Sequence, residues 1–266
     1  MLNRWWRGIS STAGMFAFPL GHWWCRNVDG LKSADRLERG LVLVLPGIQA
    51  KSPVEYGVAR GLNDAGIDMG IEIYDWTTGS YLLFTKHLCG IKRNRFEAEK
   101  LAARIIAYQD QYPGRPVYLI GHSGGAGLSL LAMEALPHDR KVTRLILLSA
   151  AVSPQYDLST ALEHTTHGIW NFHSHWDLFF LGLGTTTLGT IDRHHTFAAG
   201  FNGFHEFNSD DENVRLHQQR YCFKMLSSWN FGGHFGSTNR VFCDEWLAPL
   251  MQETVSESAA SSELAP

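Results

Sequence analysis

The chain has 266 residues, 44% hydrophobic and 18% charged, enough to bury the core of one α/β domain more readily than of two small ones. A formal net charge of −3 excludes the basic footprint of a nucleic-acid binder. No stretch reaches the roughly 20 consecutive apolar residues of a membrane-spanning helix, so a soluble, cytoplasmic protein is expected.

Residues 1–40 show no strand pair and are read as an N-terminal extension of open structure. Arg4 and Arg7 precede the uncharged run 8–22, a faint echo of a signal peptide diluted by Ser10, Ser11, Thr12 and Gly14. Residues 22–25, His-Trp-Trp-Cys, lack the small residues that precede a lipoprotein cysteine, and export stays open as the alternative location. Trp5-Trp6 suits either packing or peripheral contact with a lipid interface. Cys25, Cys89, Cys222 and Cys243 are scattered, without metal-ligand spacing or the density of a disulfide scaffold.

From residue 41, strand-length apolar runs alternate with helical patterns, as expected of a mainly parallel sheet covered on both faces. The run 41–45 is a strand closed by Pro46-Gly47. Ser52-Pro53-Val54-Glu55 then carries a capping box, with proline in the first turn, and predicts a helix whose face is Val54, Val58 and Leu62. Met69, Ile71 and Ile73 alternate as in a strand. A helix starting at Asn94, with Leu101, Ile105, Tyr108 and Tyr112 on one face, stops at Pro113-Gly114.

The next strand, 116–120, runs into Gly121-His122-Ser123-Gly124-Gly125 and a helix over 124–136. A sharp strand-to-helix turn needs glycine on both sides of its serine, because a larger side chain there would collide with its neighbours. Ser123 is therefore the candidate nucleophile. A strand over 142–148, a short helix over 158–163 capped by Asp157, and a strand over 169–173 follow. Residues 178–230 keep no sustained period and are read as a surface excursion or a lid, within which 221–226 could supply the last strand. A helix over 241–250 ends the domain, and the tail 253–266 reads as disordered.

The elbow, the Leu45-Pro46-Gly47-Ile48 loop, and an acid followed by histidines downstream of the serine make residues 41 to about 250 resemble the α/β-hydrolase superfamily. No closer subfamily is assigned. The resemblance implies a mainly parallel central sheet with helices on both faces and, since 149–168 is too short for the usual insertion, no large cap domain. It also implies a triad in the order Ser, acid, His, with the acid after the penultimate core strand and the histidine after the last. Those positions select Asp177 over Asp192, which stands beside Arg193. Of the later histidines, the choice is His234, in Gly232-Gly233-His234-Phe235-Gly236, over His194 and His195. The backbone N–H groups of Gly124 and Ile48 would form the oxyanion hole. His122 is read as packing or orienting.

His173-Ser174-His175-Trp176-Asp177 reproduces most of a zinc motif but lacks its final histidine and leaves the elbow unexplained, so neither a metal nor another cofactor is expected. The aromatic residues Trp176, Phe179, Phe180, Phe197, Phe201, Phe204, Trp229 and Phe231 suggest an apolar or aromatic acyl pocket, though core packing explains many of them. The expected activity is a serine hydrolase of esterase or lipase type, passing through an acyl-serine. Acyl transfer by the same residues, and a non-catalytic binding protein on the same fold, are the alternatives.

Overall fold

The computed structural model describes residues 2–17, 28–205 and 215–252. The expected disordered tail and residues 22–25 of the signal-like segment lie outside them.

Six strands, β1 (Leu41–Leu45), β2 (Gly70–Ile73), β3 (Val117–His122), β4 (Arg144–Leu148), β5 (Ile169–His173) and β6 (Leu216–Arg220), form one sheet in the order β2-β1-β3-β4-β5-β6. Every pairing is parallel. Strands buried on both faces need no polar alternation, which is why Leu41–Leu45 is continuously apolar.

Before the sheet come α1 (Leu2–Phe16) and the single turn α2 (Ala34–Leu37); α3 (Pro53–Asp64), α4 (Phe84–Cys89), α5 (Ile91–Gln111), α6 (Gly124–Glu134) and α7 (Ser159–Glu163) lie between strands. After β5 come a π-helical segment, Leu178–Gly184, and the short helices α8 (Thr185–Leu188) and α9 (Ala199–Asn202). The terminal helix opens as α10 (Arg240–Phe242) and continues through a π-helical turn, Cys243–Leu247.

The period-2 geometry of the strands sorts their side chains into two cores. Leu41, Leu43, Leu119 and Leu145 pack with Leu101 and Ile105 of α5 and Leu128 of α6. On the other face Val42, Val44, Ile120 and Ile146 pack with Val58 and Leu62 of α3 and with Phe242 and Leu247.

Three expectations change. The last strand is Leu216–Arg220, whereas Phe223–Ser228, which overlaps the stretch expected to be that strand, is a 3-10 turn. β6 is an edge strand of polar residues, so its pairing with β5, rather than any apolar signal, defines it. The described residues of 178–230 fall largely into short defined elements. Residues 2–16, left open by the sequence, form a helix pinned to the body. Arg7 pairs with Asp64 (2.7 Å) and Asp244 (3.0 Å), Arg4 with Glu245 (2.6 Å), and Gly8 lies so close under the Trp229 ring that no Cβ would fit.

Because all six strands run the same way, the segments leaving their C-terminal ends meet at one edge of the sheet. The elbow, the loops carrying Asp177 and His234, and the residues after β1 and β2 all belong to that edge.

Candidate active site

β3 ends at His122 and α6 starts at Gly124, leaving Ser123 in the turn with φ 53° and ψ −118°. This backbone conformation is strained for a residue with a side chain, by about 1–3 kcal/mol, and persists only if the surroundings enforce it. They do. Ser123 N donates to Leu148 O (2.9 Å), and Ser123 O accepts from Ala126 N (3.1 Å) and Ala151 N (3.2 Å). A Cβ on Gly121 would lie 2.6 Å from Ala126 Cα, and one on Gly125 would lie 2.6 Å from Leu45 O, so both glycines are required by close backbone approach.

Asp177 follows β5 in a tight turn in which its own N–H donates to Ser174 O (3.1 Å). His234 lies beyond β6, in a loop whose Gly232 N–H donates to Asn230 Oδ1 (2.9 Å). The structure brings the two together: His234 Nδ1 stands 2.6 Å from Asp177 Oδ2, both side chains buried. Since the carboxylate accepts, Nδ1 carries the proton and Nε2 is the nitrogen left to serve as a base. The ring also stacks on Phe180 at 4.6 Å between centroids.

Ser123 and His234 line the same cavity, of about 510 Å³. Its remaining wall is mostly apolar, including Ile48, Tyr81, Phe84, Leu181 and Phe235, with Gln49, Thr185 and Thr187 as polar members and no charged side chain.

A family model for the serine aminopeptidases of group S33 matches residues 98–195, a span holding Ser123 and Asp177 but ending before His234. With the all-parallel sheet and its elbow, this decides the fold. The chain has the α/β-hydrolase fold. Among solved structures it is similar to a Xanthomonas campestris pv. campestris protein described as a hydrolase of the alpha/beta superfamily, at 16% identity over 81% of this chain and 99% of the other, TM-score 0.45. A dienelactone hydrolase-like promiscuous phosphotriesterase from metagenomic libraries shares 15% identity over 81% and 87% of the two chains, TM-score 0.47. No curated protein matches the sequence.

The early loop after β1 reaches the elbow. A Cβ on Gly124 would sit 2.7 Å from Ile48 Cγ2 and 3.5 Å from Ile48 N, so the two expected oxyanion donors are neighbours. Gly124 opens α6, where the first N–H groups have no acceptor inside the helix. The sequence did not reveal what holds Ile48. His87 Nδ1–H donates to Ile48 O (2.7 Å), while His87 Nε2 accepts from Thr78 N (3.0 Å). Trp76 Nε1 donates to Pro46 O (2.7 Å), and Asn94 Nδ2 ties His87 O (2.8 Å) to α5. α5 itself starts at Ile91, ahead of the expected Asn94.

His122 is fully buried, and burial pushes its imidazole down to about 3, so it is neutral. Its Nε2–H donates to His234 O (3.1 Å), which also accepts from Ser149 Oγ (3.2 Å). Asp192 lies elsewhere, accepting from Ser153 N (3.0 Å) and Ser153 Oγ (2.5 Å). His194 lies 3.9 Å from that carboxylate, and His195 Nδ1 contacts Thr186 O (3.2 Å).

Of the zinc-like residues, His175 contacts Arg220 (2.9 Å) and Asp177 is committed to His234. Among the described residues, no group of three or more His, Cys, Asp or Glu could hold a metal ion. Of the aromatic residues expected around the pocket, Phe179 and Phe180 reach it, Phe204 belongs to the core, and Tyr81 and Phe84 arrive unannounced from the segment after β2.

Proposed function

We propose that the protein is a serine hydrolase of an uncharged carboxylic ester or related acyl compound, with Ser123 as nucleophile, His234 as general base and then acid, and Asp177 orienting it. The observation that carries this reading is the buried 2.6 Å contact between His234 and Asp177 beside a strained Ser123 in one cavity.

Ser123 Oγ attacks the acyl carbon as its proton passes to His234 Nε2. The resulting imidazolium is stabilised by Asp177, and the oxyanion faces the N–H groups of Gly124 and Ile48. Collapse of the tetrahedral intermediate breaks the bond to the leaving alcohol, which takes the proton from His234. A water molecule then attacks the acyl-serine with His234 again as base, freeing the acid and restoring Ser123.

The cavity chemistry narrows the substrate. Recognition of a free peptide amino terminus calls for an acidic partner, and among the described residues the wall carries neither Asp nor Glu. An apolar acyl group meets no such mismatch.

The test is a fluorophosphonate probe on the folded protein. Labelling at Ser123 that vanishes in Ser123→Ala supports the nucleophile, and a protein that stays unlabelled refutes it. Turnover of an acyl ester series then separates hydrolysis from binding alone.

A further inference from the structure

The C-terminal edge of the sheet is unusually apolar on its outside. Three segments leave it: 81–90 after β2 and 176–188 after β5, both of which line the cavity, and 223–231 after β6, which meets the second through Phe223. Each presents a large apolar side chain to solvent, with Leu82 71%, Phe179 76% and Phe223 72% exposed. Patches of this extent on a soluble surface mark a binding face. Ring contacts join the last two segments, Trp176 meeting Phe223 at 6.1 Å between centroids, and Trp229 links Phe231 at 6.2 Å to Trp5 of α1 at 5.3 Å.

Two further observations say what covers this face. First, the patch is continuous with the cavity: Tyr81, Phe84, Phe179, Phe180, Leu183 and Leu188 are exposed and also line the space in front of Ser123. Whatever docks on the rim is therefore positioned to pass an apolar chain inward. A folded protein partner would present side chains, whereas a lipid layer presents free chains. Second, the charge is one-sided. Across the three segments the only carboxylate is Asp177, buried against His234, while Lys86 and Lys224 are exposed. An apolar face flanked by lysines suits a layer with anionic headgroups.

We propose that this edge docks on a lipid surface and that the protein takes its acyl substrate from that surface. The docking stands on the exposed rim, and the choice of substrate rests on the serine-hydrolase reading above. Tyr81–Phe84 and the 178–188 segment form two lips that enter the headgroup boundary, as amphipathic interfacial elements do.

The experiment uses the full chain as Ser123→Ala, so that binding is read without turnover, and flotation with phosphatidylcholine vesicles with and without phosphatidylglycerol. Binding is expected, stronger with the anionic lipid and weakened by salt. The double variant Leu82→Glu/Phe223→Glu, neither of which lines the cavity, should weaken binding at least about tenfold. In the Ser123 background it should leave turnover of a short soluble ester unchanged while lowering turnover of a vesicle-borne ester. A circular-dichroism melt equal to the parent excludes misfolding.

Absence of vesicle binding, or binding undiminished in the double variant, overturns the proposal. So does a concentration-dependent dimer that the double variant abolishes, since a second copy would then cover the face. Vesicle binding without fluorophosphonate labelling sinks the hydrolase reading and leaves docking standing; labelling without vesicle binding does the reverse.

Discussion

Glu55 Oε1 lies 3.8 Å from His122 Nδ1, with both side chains fully buried behind the strand-to-helix elbow. The capping box at the start of α3 is thus more than a helix signal, since it reaches the strand-to-helix turn at Ser123. The Glu55 carboxyl accepts from Ser52 N (2.9 Å) and from Gln49 Nε2 (3.0 Å), so it joins the cap of α3, a residue lining the cavity and the rear of the elbow.

Burial raises the Glu55 carboxyl to about 7 against its ordinary 4.5, despite the hydrogen bonds that lower it. A carboxyl raised on folding stabilises the native state below its unfolded pKa, and that contribution is lost as pH climbs through about 7. The window is therefore about pH 4.5 to 7, with a span on the order of 3 kcal/mol. Glu55→Gln should lack this slope, so its stability relative to wild type should rise between pH 5 and pH 8. Urea melts of both proteins at the two pH values check it, and His122, common to both, cancels. A constant difference would show that Glu55 does not titrate in this range.

Asp177→Asn should preserve the fold and lower kcat by about 10³–10⁴-fold, because the imidazole loses its tautomer and the stabilisation of its charged form. Steady-state turnover of a short acyl ester, with a thermal melt as control, measures this. A loss of less than about tenfold would move the orienting role away from Asp177.

Ser123→Gly removes a side chain from φ 53°. Glycine adopts this conformation without strain, so the variant should be inactive and more stable by about 1 kcal/mol, even after its larger unfolded-state entropy is counted. Differential scanning calorimetry reads the sign. A lower Tm than wild type would contradict the strain assigned to the elbow.

His87→Ala should release Ile48 O and let the early loop move. The expected effect is a fall in kcat of about 10–100-fold with little change in KM, as for partial loss of one oxyanion donor. Kinetics on the same short ester separates this from a pocket defect, which would appear in KM.

Gly125→Ala places a methyl group against the backbone carbonyl oxygens of Pro46 and Leu45. Backbone cannot yield as a flexible side chain does, so a loss of about 1–3 kcal/mol is expected, measured by urea denaturation. A neutral result would mean that α6 can shift away from β1.

Residue types and their spacing by themselves determined the parts that local chemistry governs. β1, β3 and β4 were legible because strands buried on both faces carry near-continuous apolar runs, and the elbow was legible because only glycine tolerates its close approaches. The candidate acid and base came from chain order in the family resemblance. Only the tertiary structure decided the rest. β6 is polar and exists by pairing with β5. Asp177 and His234 stand 57 positions apart and meet through the parallel register of two strands. In the sequence Glu55 is only part of a capping box, and its burial follows from how α3 packs beneath the elbow; His87 carries no sequence signal, and its role follows from the contact with Ile48 O. α1 gathers Trp5, Trp6, Ile9 and Phe16 on one face that stays exposed, and it is held to the body instead by ion pairs to Asp64 and Glu245 and by the Trp229 ring over Gly8. Contacts between residues so distant in the chain leave no periodic trace in either partner, whereas burial and backbone strain leave theirs locally.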